Sequence, residues 1–98
     1  MNSLQALQDR IAEWQGETFP NQTLKGKLEH LVSEAMELRD SPNDETEWAD
    51  VLILLLGAAA MKGMTVRELE LAANVKFCLA RQRQWGPANA QGFHHHVE

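Results

Sequence analysis

Apolar residues recur at helical spacing along almost the whole chain, and no stretch alternates as a strand would. Leu4, Leu7, Ile11 and Trp14 form the first such series, with Ser3 placed to cap it, and predict a helix ending near Gly16. Glu17 to Asn21 reads as a connection, because Pro20 disfavours helix at Phe19, and Asn21 or Thr23 can cap the next helix. A second helix over about 23–39 carries Leu24, Leu28, Leu31, Ala35 and Leu38 on one stripe. Asp40-Ser41-Pro42-Asn43 breaks it, and Ser41, Pro42 and Asp44 supply a cap, a first helical position and an early acid for a third helix. From Trp48 to Met61 that helix is apolar on every side, which predicts a central element buried on most faces. Gly63 closes it, and Thr65-Val66-Arg67-Glu68 is a capping box that opens a last helix with Val66, Leu69, Ala73, Phe77 and Ala80 as its core face. After Trp85, Gly86-Pro87 stops the helix and leaves residues 88–98 as a loose or docked tail.

The expected fold is therefore all-α, a four-helix bundle in one small domain spanning residues 1–98. A lone bundle of that size cannot cover a helix as apolar as Val51–Met61. A homo-oligomer, a dimer or a dimer pairing into a tetramer, is the expected remedy. A net charge of −5 with no basic run argues against nucleic acid. The Val51–Met61 run is also far shorter than the ~20 residues that span a bilayer. The first residues carry charges and no long apolar core, so no signal peptide is expected. The single cysteine, Cys78, excludes an internal disulfide, fits a reducing cytoplasm and reads as a small core residue. No function is assigned to His94-His95-His96.

The chemistry lies in two acidic pairs. Glu34 and Glu37 share one side of the second helix, and Glu47 and Asp50 share one side of the third. Folding the two helices back on each other aims all of them into one small volume. Their mutual repulsion would raise their pKa values unless a cation neutralised them. A hard divalent ion such as Mg²⁺, which keeps waters and carries substrate phosphates, suits such a site. Lys27 and His30 lie on the same flank of the second helix, and Lys76 and Arg83 project from the core side of the last. These cations admit two readings. They can pair with the acids, Asp50 above all, in a non-enzymatic helical interaction module, or they can meet a triphosphate beside a metal.

The order Glu34-x-x-Glu37 then Glu47-x-x-Asp50, preceded by Phe19-Pro20-Asn21 and followed by Lys76 … Arg83-x-Trp85, resembles the MazG-like all-α nucleoside triphosphate pyrophosphohydrolases, relatives of the dimeric dUTPases and dCTP pyrophosphatases. The likeness runs from Trp14 to Trp85. It implies cleavage of a (d)NTP between its α- and β-phosphates to a monophosphate and pyrophosphate, in nucleotide-pool house-cleaning. It further implies that Glu34, Glu37, Glu47 and Asp50 hold Mg²⁺, with Mn²⁺ as a possible substitute. Lys76 and Arg83, joined by Lys27, would hold phosphates. Glu34 or Glu37 would orient or deprotonate the attacking water, and Trp14, Phe19 and Trp85 are candidates to meet the base. The gap between the acidic pairs is short for that family, and Ala80 stands where its pattern has Asn.

Overall fold

The computed structural model of the chain describes residues 3–97. Its helices are α1 (Ser3–Thr18), α2 (Leu24–Asp40), α3 (Glu45–Met61) and α4 (Val66–Gln82). No single helix is long and apolar enough to cross a membrane.

Local chemistry sets most of the helix ends. Thr23 caps α2 by accepting from the Gly26 N–H at 3.0 Å. Ser41 ends α2, its N–H donating to Glu37 O and Leu38 O, and Asp44 caps α3 by accepting from the Thr46 N–H. The α2–α3 turn thus differs from expectation. Pro42 sits inside a turn closed by Asp44 N–H to Ser41 O at 3.1 Å, and it does not open α3. Gly63, with φ of 83°, follows α3 in a Schellman arrangement: Met64 N–H reaches Ala59 O and Gly63 N–H reaches Ala60 O. Thr65 and Glu68 form the expected capping box of α4. Helix α1 runs past Gly16 to Thr18 and already includes Ser3, expected as its cap; the two residues before Ser3 lie outside the described residues.

Helix α3 is the centre, packed by α1 on one side and α2 on the other. The face that α1 buries is rotated from the expected stripe. Gln8, Ile11 and Gln15 are buried, whereas Leu4 and Trp14 are exposed. The glutamines are tolerated because they bond to α3 and its exit: Gln8 Nε2 donates to Leu56 O and Met64 O, and Gln15 Nε2 to Gly57 O. Helix α2 is rotated likewise. Lys27 is buried and Leu31, Glu34 and Leu38 are half-buried, while Leu28, Val32 and Met36 face outward. Of the flank carrying Lys27, His30, Glu34 and Glu37, Lys27 and Glu34 therefore turn inward, while His30 and Glu37 stay exposed.

The four helices make the expected all-α bundle, but only the first turns of α4 pack against the others. That helix turns off α3 at 106°, and the molecule measures 46 × 30 × 25 Å. Val66 and Leu69 pack with Leu7, Ile11 and Leu56, but Leu71, Val75, Phe77 and Leu79 are exposed. Cys78, expected in a core, is exposed with them. The segment expected as a tail folds back, Gln84–Trp85 pairing antiparallel with His96–Val97 as strands β1 and β2. Asn89 closes this hairpin, its side chain accepting from the Gln91 and Phe93 N–H groups. Strands of two residues leave no periodic signal to read.

Candidate active site

The short turn between α2 and α3 brings three of the four acids together. Glu34, Glu37 and Glu47 each present an oxygen within 4.8 Å of the others. Asp50, one turn further along α3, lies at the margin. It is exposed, but its charge acts on both Glu34 and Glu47, and it shares a cleft with Glu34.

The cluster is electrostatically unsettled as it stands. The Glu34 carboxyl is raised above its ordinary range, first by a side-chain hydrogen bond with Glu37, then by burial and the charges of Glu37 and Asp50. His30 Nε2, 3.2 Å from Glu34 Oε1, acts in the opposite sense. Glu47 is raised first by burial, then by the charges of Glu37, Asp44 and Asp50. Its Oε2 is sealed from water and has no hydrogen-bond donor. Carboxylate oxygens that converge and repel, one of them buried without a donor, are a ligand set for a hard divalent cation. Glu34, Glu37 and Glu47 fit that task, with Asp50 beside them. Among the described residues no ion pair joins any of these acids to Lys27, Lys76 or Arg83; the pairs present are His30–Glu34 and Arg39–Asp40.

Next to the acids lies a cleft of ≈ 270 Å³. Trp14 and Phe19 form one wall, edge to face with ring centroids 5.2 Å apart, and Ile53 and Leu54 of α3 form another. Lys27, His30 and Glu34 enter from α2. Lys27 is 2 % exposed. Its stem passes over Gly57, where an added Cβ would stand 2.9 Å from Lys27 Cε and 2.5 Å from Gln15 Oε1. Gly57 is therefore what lets α1, α2 and α3 meet here. Burial lowers the Lys27 pKa.

Lys76, Arg83 and Trp85 are not brought to this cleft by their own chain. Lys76 rides on the exposed part of α4, and Arg83 is the C-cap of that helix, its N–H donating to Ala80 O. Trp85 Nε1–H donates to Ala80 O at 2.9 Å, and its ring stands edge-on to His96. His94 Nδ1 contacts Gly86 O and His95 packs on Phe93, so the three histidines serve the hairpin and not a common ligand. Sequence reasoning gave no role to Gln15, Gln22 or Gly57. A signal for the first existed in the Gln8-x-x-Ile11-x-x-x-Gln15 spacing, which puts both amides on the face of Ile11.

A central helix flanked by two others, with converging carboxylates at one end, is the architecture of the MazG-like hydrolases of phosphoric anhydride bonds, and the comparisons agree. Residues 7–98 match the dATP/dGTP pyrophosphohydrolase family, to which this chain belongs. It is similar to the dATP/dGTP diphosphohydrolase of cyanophage S-2L, 35% identical over 91 residues that cover 91% of this chain and 84% of that protein. A solved structure of the cyanophage S-2L MazG-like pyrophosphohydrolase, bound to dGDP and three catalytic Mn²⁺ ions per active site, superposes with a TM-score of 0.81 at 31% identity, covering 100% of both chains. Membership makes the chain an enzyme with MazG-type nucleoside triphosphate pyrophosphohydrolase activity, and the reading as a non-enzymatic interaction module falls away.

Proposed function

We propose that this enzyme hydrolyses purine deoxynucleoside triphosphates between the α- and β-phosphates, releasing a monophosphate and pyrophosphate, with Mg²⁺ or Mn²⁺ held by Glu34, Glu37 and Glu47 and supported by Asp50. The observation that carries the reading is the carboxylate cluster itself: acids on two helices converge within 4.8 Å, and Glu47 Oε2 is buried without a donor. The relative's Mn²⁺ ions and its dGDP support the same reading. The divalent ions supply charge neutralisation of the phosphates and a bound water of lowered pKa.

The chain's own groups do the rest. Glu34 is hydrogen-bonded by His30, which fixes its carboxylate beside the cleft and suits it to orient and deprotonate the attacking water. Glu37, one turn along α2, stands beside it as a ligand for the same cation. Lys27 brings a cation to the phosphates from the floor of the cleft, with its apolar stem held by α1 and α3. Trp14 and Phe19 offer apolar faces to the nucleoside and keep bulk water from the reacting end. House-cleaning of the cytoplasmic nucleotide pool is the role such a reaction serves.

Lys76, Arg83 and Trp85 act, in this reading, from a second copy of the chain. The exposed apolar row of Leu71, Val75, Phe77 and Leu79 on α4, and that of Leu28, Val32 and Met36 on α2, are unpartnered in one protomer. Joining them in a homodimer or homotetramer buries both and carries basic groups towards acids that lack a cation. Phosphorus NMR of a dGTP digest with Mg²⁺ or Mn²⁺ tests the chemistry. Pyrophosphate and dGMP are expected, and dGDP with orthophosphate would overturn the assigned bond.

A further inference from the structure

We infer that Trp48 is a positioning residue for the acidic cluster: its indole N–H fastens the α2–α3 turn, so that Glu47 stays within reach of the same ion as Glu34 and Glu37. This role rests on the divalent-ion reading above. Trp48 Nε1–H donates to Pro42 O at 2.9 Å, from the first turn of α3 back across the connection. The residue is 59 % exposed, so burial holds the ring only weakly and this bond sets where it lies. Pro42 suits the acceptor's part. Its ring fixes φ and stiffens the turn that presents the carbonyl, and that oxygen lies outside both helices.

The turn needs a fastening because the acids push it open. Glu37 is in the last turn of α2 and Glu47 in the first turn of α3, so like charges meet across the connection. Glu37 also lies at the negative end of the α2 dipole. Burial first, and then the charges of Glu37, Asp44 and Asp50, hold the Glu47 carboxyl above its ordinary range. Helix ends are where backbone bonds open most readily. Ser41 N–H closes α2 and the Asp44 side chain caps α3, each acting within its own helix end. The Trp48–Pro42 bond differs, because it ties the body of α3 to the turn six residues back. Glu47 is the neighbour of Trp48, so the bond fixes the rotation of α3 about its axis at the level of the ligand. The opposing reading is that Trp48, with exposed Leu52 one turn further along α3, serves only as a contact between copies.

The experiment is calorimetric titration of the full chain with Mg²⁺, parent against Trp48→Phe. Phenylalanine keeps an aromatic ring and removes the N–H, and it should weaken Mg²⁺ binding about three- to tenfold, the range for one net hydrogen bond. Self-association, read by light scattering, should not change. A second measurement uses the parent alone: solvent exchange of the Trp48 indole N–H by NMR, without Mg²⁺ and at saturation. By reciprocity the ion should slow that exchange by the factor with which the bond tightens the ion. Affinity in Trp48→Phe within about twofold of the parent overturns the role, and so does an indole exchange rate indifferent to Mg²⁺. A variant that loses self-association and binds Mg²⁺ as before makes Trp48 a contact between copies, and overturns it too. A parent that takes up no divalent ion overturns the carboxylate reading itself. A parent and a variant that bind the ion equally well overturn only the part given to Trp48.

Discussion

In the α2–α3 hairpin, Lys27, Glu34 and Glu47 are turned inward while Leu28, Val32 and Met36 face solvent; along α4, Leu71, Val75, Phe77 and Leu79 are turned outward with no polar exchange. The two regions share the same helical grammar and use it differently. Burying charge in the hairpin costs stability, and only a ligand offsets that cost. Exposing apolar surface on α4 also costs, and only another protein surface offsets it. In the function proposed above, the hairpin is organised around a cation and a nucleotide, and α4 around a second copy.

The largest break in that contrast should come from the hairpin. Glu37→Gln or Glu47→Gln removes an oxygen that a divalent ion requires, and turnover should fall at least about 10²-fold, the effect of losing several kcal/mol of charge stabilisation. Calorimetry should show divalent binding lost in the same variants. The Tm of the metal-free protein should stay level or rise, because a repulsion has gone. A structural role for these acids predicts the reverse, a lower Tm with metal binding intact.

Next in size is the effect on α4. Phe77→Glu should weaken self-association about 10- to 100-fold, the order expected for withholding an aromatic side chain from an interface, as read by light scattering across a dilution series. Thermal unfolding at high dilution should not change, since Phe77 is 62 % exposed in the protomer. A sharper form of the test mixes protomers. Lys76→Ala and Glu37→Gln chains, each nearly inactive alone, should regain activity when exchanged into one assembly if the basic groups act across the interface. No recovery on mixing would place Lys76 outside the site.

Lys27 joins the two logics. Lys27→Met keeps the buried stem over Gly57 and removes only the charge, so it should hold or raise the Tm. Triphosphate binding at saturating divalent ion should weaken by about 1.5–3 kcal/mol, the range for a charge-assisted contact. Equal nucleotide affinity in the variant would show that Lys27 spaces the helices and does no more.

How legible all this was in the sequence differs by region. The helices and most of their ends could be read, because caps such as Thr23, Thr65 with Glu68, and Gly63 act within a few residues of themselves. The acidic pairs could be read for the same reason, with a short turn fixing their approach. What escaped was rotation. Leu28 and Ala35, expected on the core stripe of α2, are exposed and Lys27 is buried, while Leu24, Leu31 and Leu38 of that stripe stay half-buried. Periodicity alone cannot say which of two adjacent stripes faces inward. Burial of Gln8 and Gln15 escaped because their partners, Leu56 O, Met64 O and Gly57 O, lie more than 40 residues away. The course of α4 escaped because an apolar stripe reads as core in a sequence, whereas Leu71, Val75, Phe77 and Leu79 are exposed here. Pro42 misled for a local reason, as the same residue suits a first helical position and a turn equally well.

The smallest expected effect is the dependence of stability on pH, and it separates the hairpin from the caps. Glu34 and Glu47 have pKa values raised by folding, so the folded metal-free protein holds protons there more tightly than the unfolded chain. The stability they contribute is fully present below the ordinary glutamate pKa and is lost as pH rises through their folded values. Asp44 and Glu68, which accept from Thr46 and Thr65, are lowered by folding, and they work in the opposite sense. Their contribution is present above the ordinary carboxylate range and is lost as pH falls through it. On acidification from neutral pH the hairpin therefore gains while the caps lose, and the two act in opposite senses on Tm. Glu47→Gln removes one rising component and should be more stable than the parent at neutral pH, with the difference vanishing in acid. Glu68→Gln should be less stable than the parent at neutral pH and match it in acid. Thermal melts of the three proteins without divalent ion, from pH 7 to below 4, check both signs. Saturating Mn²⁺ should erase the Glu47 advantage, because the cation replaces the proton as the partner of the cluster, and it should leave the Glu68 difference untouched.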